Sequence, residues 1–190
     1  MANARFSVAP AYYTGSEVTP EVTVTHSGKT LVKDRDFTVT YHNNIEPSSY
    51  YNSPWVGIDG IGNYQGYVTK SFTINRADIS SCTVTLSDES LTYTGSSLHP
   101  TATVKSGDKE LTLNQDYYVS YRNNWDAGTA SAILTGTGNY TGSVTKDFTI
   151  KPLDISRYSA SLSQYSYTSD GTEKCPDVTV TYGDKTLAAG

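Results

Sequence analysis

Two lysines stand at matching positions of the sequence and have the chemistry to form a covalent cross-link. Lys70 and Lys146 share period-2 parity with the Val, Phe and Ile residues around them, so in a strand all these side chains would point inward together. A buried ammonium is costly unless it is paired. Three interpretations stay open: the lysine extends along the sheet end to water, it pairs with an aspartate such as Asp36 or Asp116, or it forms an intramolecular isopeptide bond with an Asn or Asp.

A second candidate is a group of aromatic residues that could bind a ligand. Tyr50, Tyr51 and Trp55 lie close together in the sequence with Asn52 among them, and Trp125 begins the corresponding loop later in the chain. Exposed rings beside amide groups are typical of carbohydrate sites, because the rings stack on the C–H faces of sugars. The alternative is that these rings only cover one end of a small β domain.

Residue patterns typical of enzymes and metal sites do not occur. The sequence has no G-x-S-x-G, H-E-x-x-H, P-loop or C-x-x-C pattern, which predicts no enzymatic activity, metal or cofactor. His26, His42 and His99 fall at non-equivalent positions and are predicted to be exposed polar residues. Asp36 and Asp116 each precede a strand and are predicted to cap a turn through its backbone amides. The alternative, a calcium ion between modules, lacks the oxygen-rich run that calcium requires.

The two cysteines are predicted to be free. Cys82 and Cys175 lie in different repeats of the chain, and modules laid end to end would hold them beyond the roughly 5.5 Å Cα separation of a disulfide. We expect both thiols to be partly buried.

The chain repeats itself with an offset of 80 residues that later becomes 76. Matching segments include Tyr13-Thr14-Gly15 with Tyr93-Thr94-Gly95, Tyr41-His42-Asn43-Asn44 with Tyr121-Arg122-Asn123-Asn124, and Gly62-Asn63-Tyr64 with Gly138-Asn139-Tyr140. The first copy therefore carries four extra residues between positions 44 and 60. A third copy starts near residue 154 and covers about half a module. These observations predict modules at 1–77, 78–153 and 154–190, with Ile79 and Ile155 packed into the two junctions.

Each module is predicted to be all-β. Short segments with period-2 alternation are separated by Gly and Asn turns, and the second copy has seven of them: Cys82–Leu86, Leu91–Tyr93, Thr101–Lys105, Glu110–Leu113, Tyr117–Arg122, Ala130–Thr135 and Val144–Ile150. Seven short strands in about 76 residues favour tandem immunoglobulin-like antiparallel β-sandwich modules placed end to end. A barrel or a β-grasp variant is the alternative. The third copy, as half a sandwich, is predicted to be the least protected.

Composition and charge exclude several classes of protein. The net charge is −5 and no basic patch occurs, so nucleic-acid binding is not expected. No apolar segment approaches the roughly 20 residues of a membrane helix, so this segment is not expected to insert into a membrane. Residues 1–10 lack the apolar region of a signal peptide. The chain is therefore expected to be either cytosolic or an internal fragment of an exported protein.

The ordered motifs resemble a family of surface repeats. The motifs YTG, S/T-Y-x-N-N, G-x-G-N-Y-x-G and T-K-x-F-T-I occur in the same order in both full copies, and the second copy adds G-x-K-x-L after YTG. It is similar to the tandem Ig-like repeats of the MBG/YDG class in large surface proteins of Gram-positive bacteria. The resemblance implies extracellular display at the cell surface, with neighbouring repeats as the immediate partners. It also implies a stalk or adhesin role.

Two functions follow as expectations. The first is a structural spacer that holds a binding region away from the cell wall. The alternative is an adhesin module that contacts a glycan or a host protein through the Tyr50–Trp55 loop.

Overall fold

The computed structural model describes residues 4–183 and 185–187. The prediction of an all-β protein is confirmed: every element longer than three residues is a strand, and most strand pairs are antiparallel. The helical elements of the described part are two 3₁₀ turns, Ile79–Ser81 and Ile155–Arg157. In those same residues no helix has the length and apolar character needed to cross a membrane.

The first 78 residues contain nine strands. They are β1 (Ala4–Val8), β2 (Ala11–Tyr12), β3 (Val22–His26), β4 (Lys29–Thr30), β5 (Phe37–His42), β6 (Trp55–Gly60), β7 (Tyr67–Ser71), β8 (Ile74–Asn75) and β9 (Ala77–Asp78). Strands β1, β3 and β4 form one antiparallel sheet, and β5, β6 and β7 form another. Strand β2 pairs with β8 in parallel, so the beginning and the end of this repeat lie side by side.

The second repeat builds the same arrangement with longer strands. They are β10 (Thr83–Leu86), β11 (Ser90–Thr92), β12 (Ala102–Ser106), β13 (Lys109–Glu110), β14 (Tyr117–Arg122), β15 (Gly128–Gly136), β16 (Tyr140–Thr141) and β17 (Ser143–Lys151). One sheet has the order β10-β12-β13 and the other β11-β17-β15-β14. Six of the seven predicted strands are present within two residues of the predicted bounds. The fourth, predicted at Glu110–Leu113, overlaps β13 only at Glu110. The Leu111 N–H still donates to the Val104 carbonyl, but the Thr112 N–H donates to the Asp116 carboxylate instead of a neighbouring strand.

The described part of the third repeat forms a single sheet. Strands β18 (Ser159–Leu162), β19 (Val178–Tyr182) and β20 (Lys185–Leu187) pair antiparallel in that order. The register of β18 with β19 reproduces that of β10 with β12, since Leu162 faces Val178 where Leu86 faces Ala102. All four residues of β18 are exposed. Within the described residues no second sheet covers this one.

Alternation along the strands explains the core. Val56 and Ile58 of β6 are fully buried, as are Ala132 and Leu134 of β15 at the same places in the second repeat. Their burial against the β3 and β12 sheets follows from the period-2 pattern seen in the sequence. Val56, Ile58 and Leu134 each contribute about 1.5–3 kcal/mol when fully removed from water.

The two full repeats share one hydrophobic core across their junction. Strand β9 leaves the first repeat and pairs in parallel with β16 of the second. The Tyr13 ring meets the Tyr140 ring edge to face, with centroids 5.7 Å apart. Ile79 is fully buried between the repeats, as predicted, and β17 packs against its 3₁₀ turn. The matching prediction for Ile155 is wrong, because that residue is 65% exposed and the described third repeat has no strands equivalent to β14–β17.

Candidate functional site

The four extra residues of the first repeat form a closed turn that interrupts one strand. In the second repeat, Gly128 pairs with Ile150. The corresponding residues of the first repeat are Ser48 and Ile74, and the Ser48 N–H donates to the Ile74 carbonyl over 2.9 Å. The Phe72 N–H donates to the Pro54 carbonyl. This bond has the same register as the pair Ala130 and Phe148, the corresponding residues of the second repeat. The insertion is thereby limited to residues 49–52, whereas the sequence placed it only between positions 44 and 60.

The turn is held by its own backbone. The Ser49 N–H donates to the Asn52 carbonyl over 2.9 Å, and the Asn52 N–H donates back to the Ser49 carbonyl over 3.3 Å. The Ser49 hydroxyl also accepts hydrogen bonds from the Tyr51 and Asn52 N–H groups. These bonds fix the two residues at the tip, Tyr50 and Tyr51, without using their side chains.

Tyr50 and Tyr51 form the tip of the turn and are 93% and 95% exposed. Their rings meet edge to face, with centroids 5.0 Å apart and an angle of 87° between the planes. The pair therefore projects from the surface as a knob and does not present one flat platform.

Asn52 has a structural role that the sequence analysis did not assign. Its side-chain N–H₂ group donates to the backbone carbonyls of Glu46, Pro47 and Asn43, over 2.8, 3.2 and 3.4 Å. These bonds tie the turn to the loop that precedes it. The amide donors predicted to face a ligand are therefore engaged within the loop.

Trp55 lies next to the turn but points toward a different neighbour. It opens β6 on the face opposite the buried Val56, as predicted, and is half-buried. Its ring stacks on the His42 imidazole of β5 with centroids 3.9 Å apart and planes 14° from parallel. This pair is a flat aromatic surface across two adjacent strands.

Trp125 belongs to the second repeat and occupies the position of Ile45 in the first. It is 53% exposed, and Ile45 is 43% exposed. The predicted aromatic residues therefore divide into three parts: the Tyr50–Tyr51 tip, the His42–Trp55 stack, and Trp125 in the second repeat.

The two lysines reach the sheet surface. The Lys70 ammonium lies over the Phe6 ring at 5.8 Å from its centroid and the side chain is exposed. The Lys146 ammonium lies 3.4 Å from a Glu89 carboxylate oxygen, and its side chain is 40% exposed. Both contacts agree with extension toward water, and the pairing suggested with Asp36 or Asp116 is not found. The isopeptide interpretation stays a prediction.

Asp36 and Asp116 cap turns, as predicted. An Oδ2 atom of each accepts from the backbone N–H four residues earlier, Val32 and Thr112 respectively, over 2.9 Å. Hydrogen bonds from the Arg35 guanidinium and then from the Val32 N–H lower the pKa of the Asp36 carboxyl. Both aspartates are largely buried, so these bonds satisfy groups that water does not reach.

The described part of the chain has no cluster of side chains that could hold a metal ion. Within it, no three His, Cys, Asp or Glu side chains gather as a metal site would require. Both cysteines are free, as predicted. Cys82 is partly buried, and burial raises the pKa of its thiol. The prediction of partial burial is wrong for Cys175, which is exposed, since the described residues of the third repeat form one sheet with no opposing layer.

The junction between the first two repeats also forms a surface groove that no sequence motif indicated. Tyr12, Asp78, Ser81 and Ser106 border a groove there, although they are up to 94 positions apart in the sequence. The one signal in the sequence is the position of these residues in the repeat, since Tyr12 precedes the YTG motif and Ser106 precedes the G-x-K motif.

Comparison of the chain with protein-family models, curated proteins and solved structures gives no significant match.

Proposed function

We propose that the chain is a structural spacer segment of a bacterial surface protein, built from tandem Ig-like β-sandwich modules. The observation that supports this proposal is the continuous core between the first two repeats. A spacer has to transmit orientation from one module to the next, and a junction with buried side chains and shared strand pairing restricts hinge motion more than a solvated linker does.

Three contacts hold that junction. Strand β9 pairs with β16, and the Ala77 N–H donates to the Asn139 carbonyl over 3.0 Å. The Tyr13 ring packs edge to face on Tyr140. The Lys109 ammonium donates to the Tyr13 hydroxyl over 3.4 Å. Together these contacts join apolar, aromatic and polar groups from both repeats.

The strand arrangement supports the Ig-like assignment within this proposal. Each full repeat has a three-stranded sheet and a second antiparallel sheet, β5-β6-β7 in the first and β17-β15-β14 in the second. An early strand pairs in parallel with the end of the repeat, β2 with β8 and β11 with β17. Two small antiparallel sheets around one core are typical of Ig-like sandwiches. The ordered YTG and G-x-G-N-Y motifs and their resemblance to surface repeats support extracellular display.

The test of the spacer proposal is the relative motion of the first two repeats in the full chain. Backbone ¹⁵N relaxation should give one common rotational diffusion tensor for amides of β1–β8 and β10–β17. Independent tumbling of the two sets would contradict a spacer. Surface display is tested separately by binding of an antibody against the chain to intact cells that make the protein.

A second candidate function is adhesion through the Tyr50–Tyr51 tip. The observation that favours it is the near-complete exposure of both rings on a turn that the second repeat lacks. Two large aromatic side chains are exposed to water, and a partner that buried their apolar surface would gain binding free energy. Because the rings are perpendicular, they suit a pocket of a host protein better than the flat face of a sugar.

The repeats supply a matched variant for this test. Deleting residues 49–52 joins Ser48 to Ser53 as Gly128 joins Thr129 in the second repeat, so the fold should be kept. The full chain, the deletion variant and Tyr50→Ala/Tyr51→Ala would be applied to arrays of glycans, mucins and host surface proteins. Loss of a signal in both variants supports adhesion, provided that Tyr165→Ala, an exposed tyrosine of the third repeat, keeps it. An unchanged signal in both variants would exclude the tip.

A further inference from the structure

A groove recurs at equivalent positions of both junctions between repeats. At the first junction it has a volume of about 490 Å³ and is bordered by Tyr12, Thr14, Ala77 and Ser106. At the second junction the groove has a volume of about 520 Å³. It is bordered by the residues that correspond, one repeat later, to the four just named: Thr92, Thr94, Leu153 and Tyr182. The groove is therefore a product of how one repeat follows another.

The two grooves differ in chemistry. Leu153, Tyr158 and Tyr182 make the second one largely apolar, and the Tyr158 and Tyr182 rings lie 4.9 Å apart. The first combines one exposed aromatic ring with hydroxyl groups and a carboxylate: Tyr12 is 64% exposed, and Thr14, Ser81, Ser106 and Asp78 stand around it. Both grooves therefore have aromatic rings and hydroxyl groups, but the first is the less apolar of the two and is the one bordered by a carboxylate, that of Asp78.

The polar border of the first groove is fixed in place. The Asp78 carboxylate accepts from the Ser80 N–H over 2.9 Å, and the Ser81 hydroxyl donates to the Asp78 carbonyl over 2.7 Å. A Cβ atom on Gly142 would lie 2.5 Å from Asp78 Oδ1, so glycine at 142 permits the carboxylate to approach the second repeat. Groups that are already positioned lose little freedom when a ligand arrives.

The floor of the groove is equally rigid. Tyr13 is 7% exposed and is held between the Tyr140 ring and the Lys109 ammonium. The volume falls within the roughly 300–1,000 Å³ of small-ligand sites. The groove thus has a buried floor, a fixed polar rim and an open side at Tyr12.

We propose that the first junction groove binds a neutral oligosaccharide. The Tyr12 ring would stack on the C–H face of one sugar unit, and the Asp78 carboxylate would accept hydrogen bonds from its hydroxyls. The serine and threonine hydroxyls can donate or accept, which suits polyhydroxylated ligands. A neutral ligand is favoured over an anionic one, because Asp78 lies at the rim and the chain has a net charge of −5. The site is separate from the Tyr50–Tyr51 tip and does not depend on the spacer role.

The test uses the full chain labelled with ¹⁵N and titrated separately with maltotetraose, cellotetraose and chitotetraose at millimolar concentrations. We expect saturable amide shifts at residues 12–14, 77–81 and 106–107 with at least one sugar. Tyr12→Thr copies the residue of the second repeat and should keep the fold while it weakens binding roughly tenfold, from loss of the aromatic contact. Asp78→Asn should also weaken binding.

Matched control variants distinguish binding in the groove from binding elsewhere on the chain. Asp154→Asn changes the equivalent turn cap of the third repeat, where the Ser156 N–H donates to Asp154, and should leave the titration unchanged. Deletion of residues 49–52 should also leave it unchanged, so that failure of the tip and failure of the groove are distinguishable. Absence of shifts with all three sugars, or equal affinity in Tyr12→Thr, overturns the proposal. Saturable binding of a hexaproline peptide without any sugar would do the same and would assign a peptide ligand.

Discussion

Several polar side chains in the described part of the chain hydrogen-bond to nearby backbone and so stabilise turns. Asp36, Asp116, Asp78 and Asp154 each accept a hydrogen bond from a backbone N–H two or four residues away. Asn52 donates to three carbonyls of its own loop. Turns that connect short strands need such bonds because their own amides have no partner in a sheet.

Replacing Asp116 should lower stability. Asp116→Ala removes the acceptor of the Thr112 N–H in a site that is 6% exposed, so the free energy of unfolding should fall by about 1–3 kcal/mol. Urea denaturation followed by circular dichroism measures the change. Asp108→Ala, an exposed turn residue of the same repeat, is the control. Equal stability of both variants would show that the cap is not needed.

High pH should destabilise the protein through two buried tyrosines. Burial raises the pKa of Tyr117 and that of Tyr140 above the ordinary value of a tyrosine. A pKa that is raised on folding means that the folded state favours the neutral phenol, so this stability is complete below the unfolded value of about 10. It is lost as the pH rises through the folded pKa. Because the chain has 16 tyrosines, the two buried ones correspond to the final part of the absorbance rise at 295 nm. That final part should coincide with loss of the β-type circular dichroism, and full ionisation before unfolding would contradict this.

The lysines should remain unmodified. Lys70 over Phe6 and Lys146 beside Glu89 both have contacts that solvent reaches, so the intact mass should equal the sequence mass. An isopeptide bond would lower it by about 17 Da for an Asn partner or about 18 Da for an Asp partner, since amide formation releases ammonia or water. Because the two sites match, a genuine bond should give two losses. High-resolution mass spectrometry decides between these outcomes.

At the scale of elements, the third sheet differs from the other two in what covers it. In the second repeat, β10 and β12 face the sheet that contains β15 and β17, and Val104 and Leu134 are fully buried between them. In the third, Val178 is 63% exposed although it pairs with β18 in the same register. In the described residues of the third repeat, hydrogen bonds between strands therefore hold the sheet together without an opposing layer.

Hydrogen exchange should rank the repeats accordingly. Amides of β18 and β19 should exchange fastest among the paired strands, because local opening exposes little additional apolar surface there. Amides of β15 and β17 should exchange slowest. Mass-spectrometric exchange on the full chain measures both sets at once. Protection of β18 equal to that of β10 would mean that another surface covers the third sheet.

Sequence reasoning was most successful where a local pattern determines structure. The alternation in Tyr117–Arg122 predicted β14 with correct bounds, since the period of a strand is visible in its own residues. It was less successful where structure depends on distant residues. Nothing local to Ile155 distinguishes it from Ile79, yet one is exposed and the other buried. The groove at Tyr12 and Ser106 likewise depends on how two repeats meet.

At the scale of the whole molecule, the first junction buries side chains of two repeats in one core. Tyr13, Ile79 and Tyr140 are each at most 7% exposed and come from both repeats. Burial of this kind gives an interface inside the chain the character of a domain core, and relative motion becomes costly.

Truncating Tyr13 should release this coupling. Tyr13→Ala removes the edge-to-face contact with Tyr140 and the hydroxyl acceptor of Lys109, so the two repeats should tumble more independently and unfold with less cooperativity. Relaxation data and calorimetry on the full chain measure these effects. Tyr93→Ala, the equivalent residue beside the open second groove, should leave the coupling of the first two repeats unchanged. A single unchanged transition for Tyr13→Ala would contradict this view.

The parallel pairing of β2 with β8 and of β11 with β17 has a mechanical consequence. In each of the two full repeats an early strand runs in the same direction as the strand at the end of the repeat, so tension applied to the two chain ends pulls these strands past each other. Hydrogen bonds between strands that slide in this way are loaded together, whereas bonds of a hairpin pulled apart from one end break one after another. The same short ladders that close each repeat in the folded state are therefore the parts that would resist extension first.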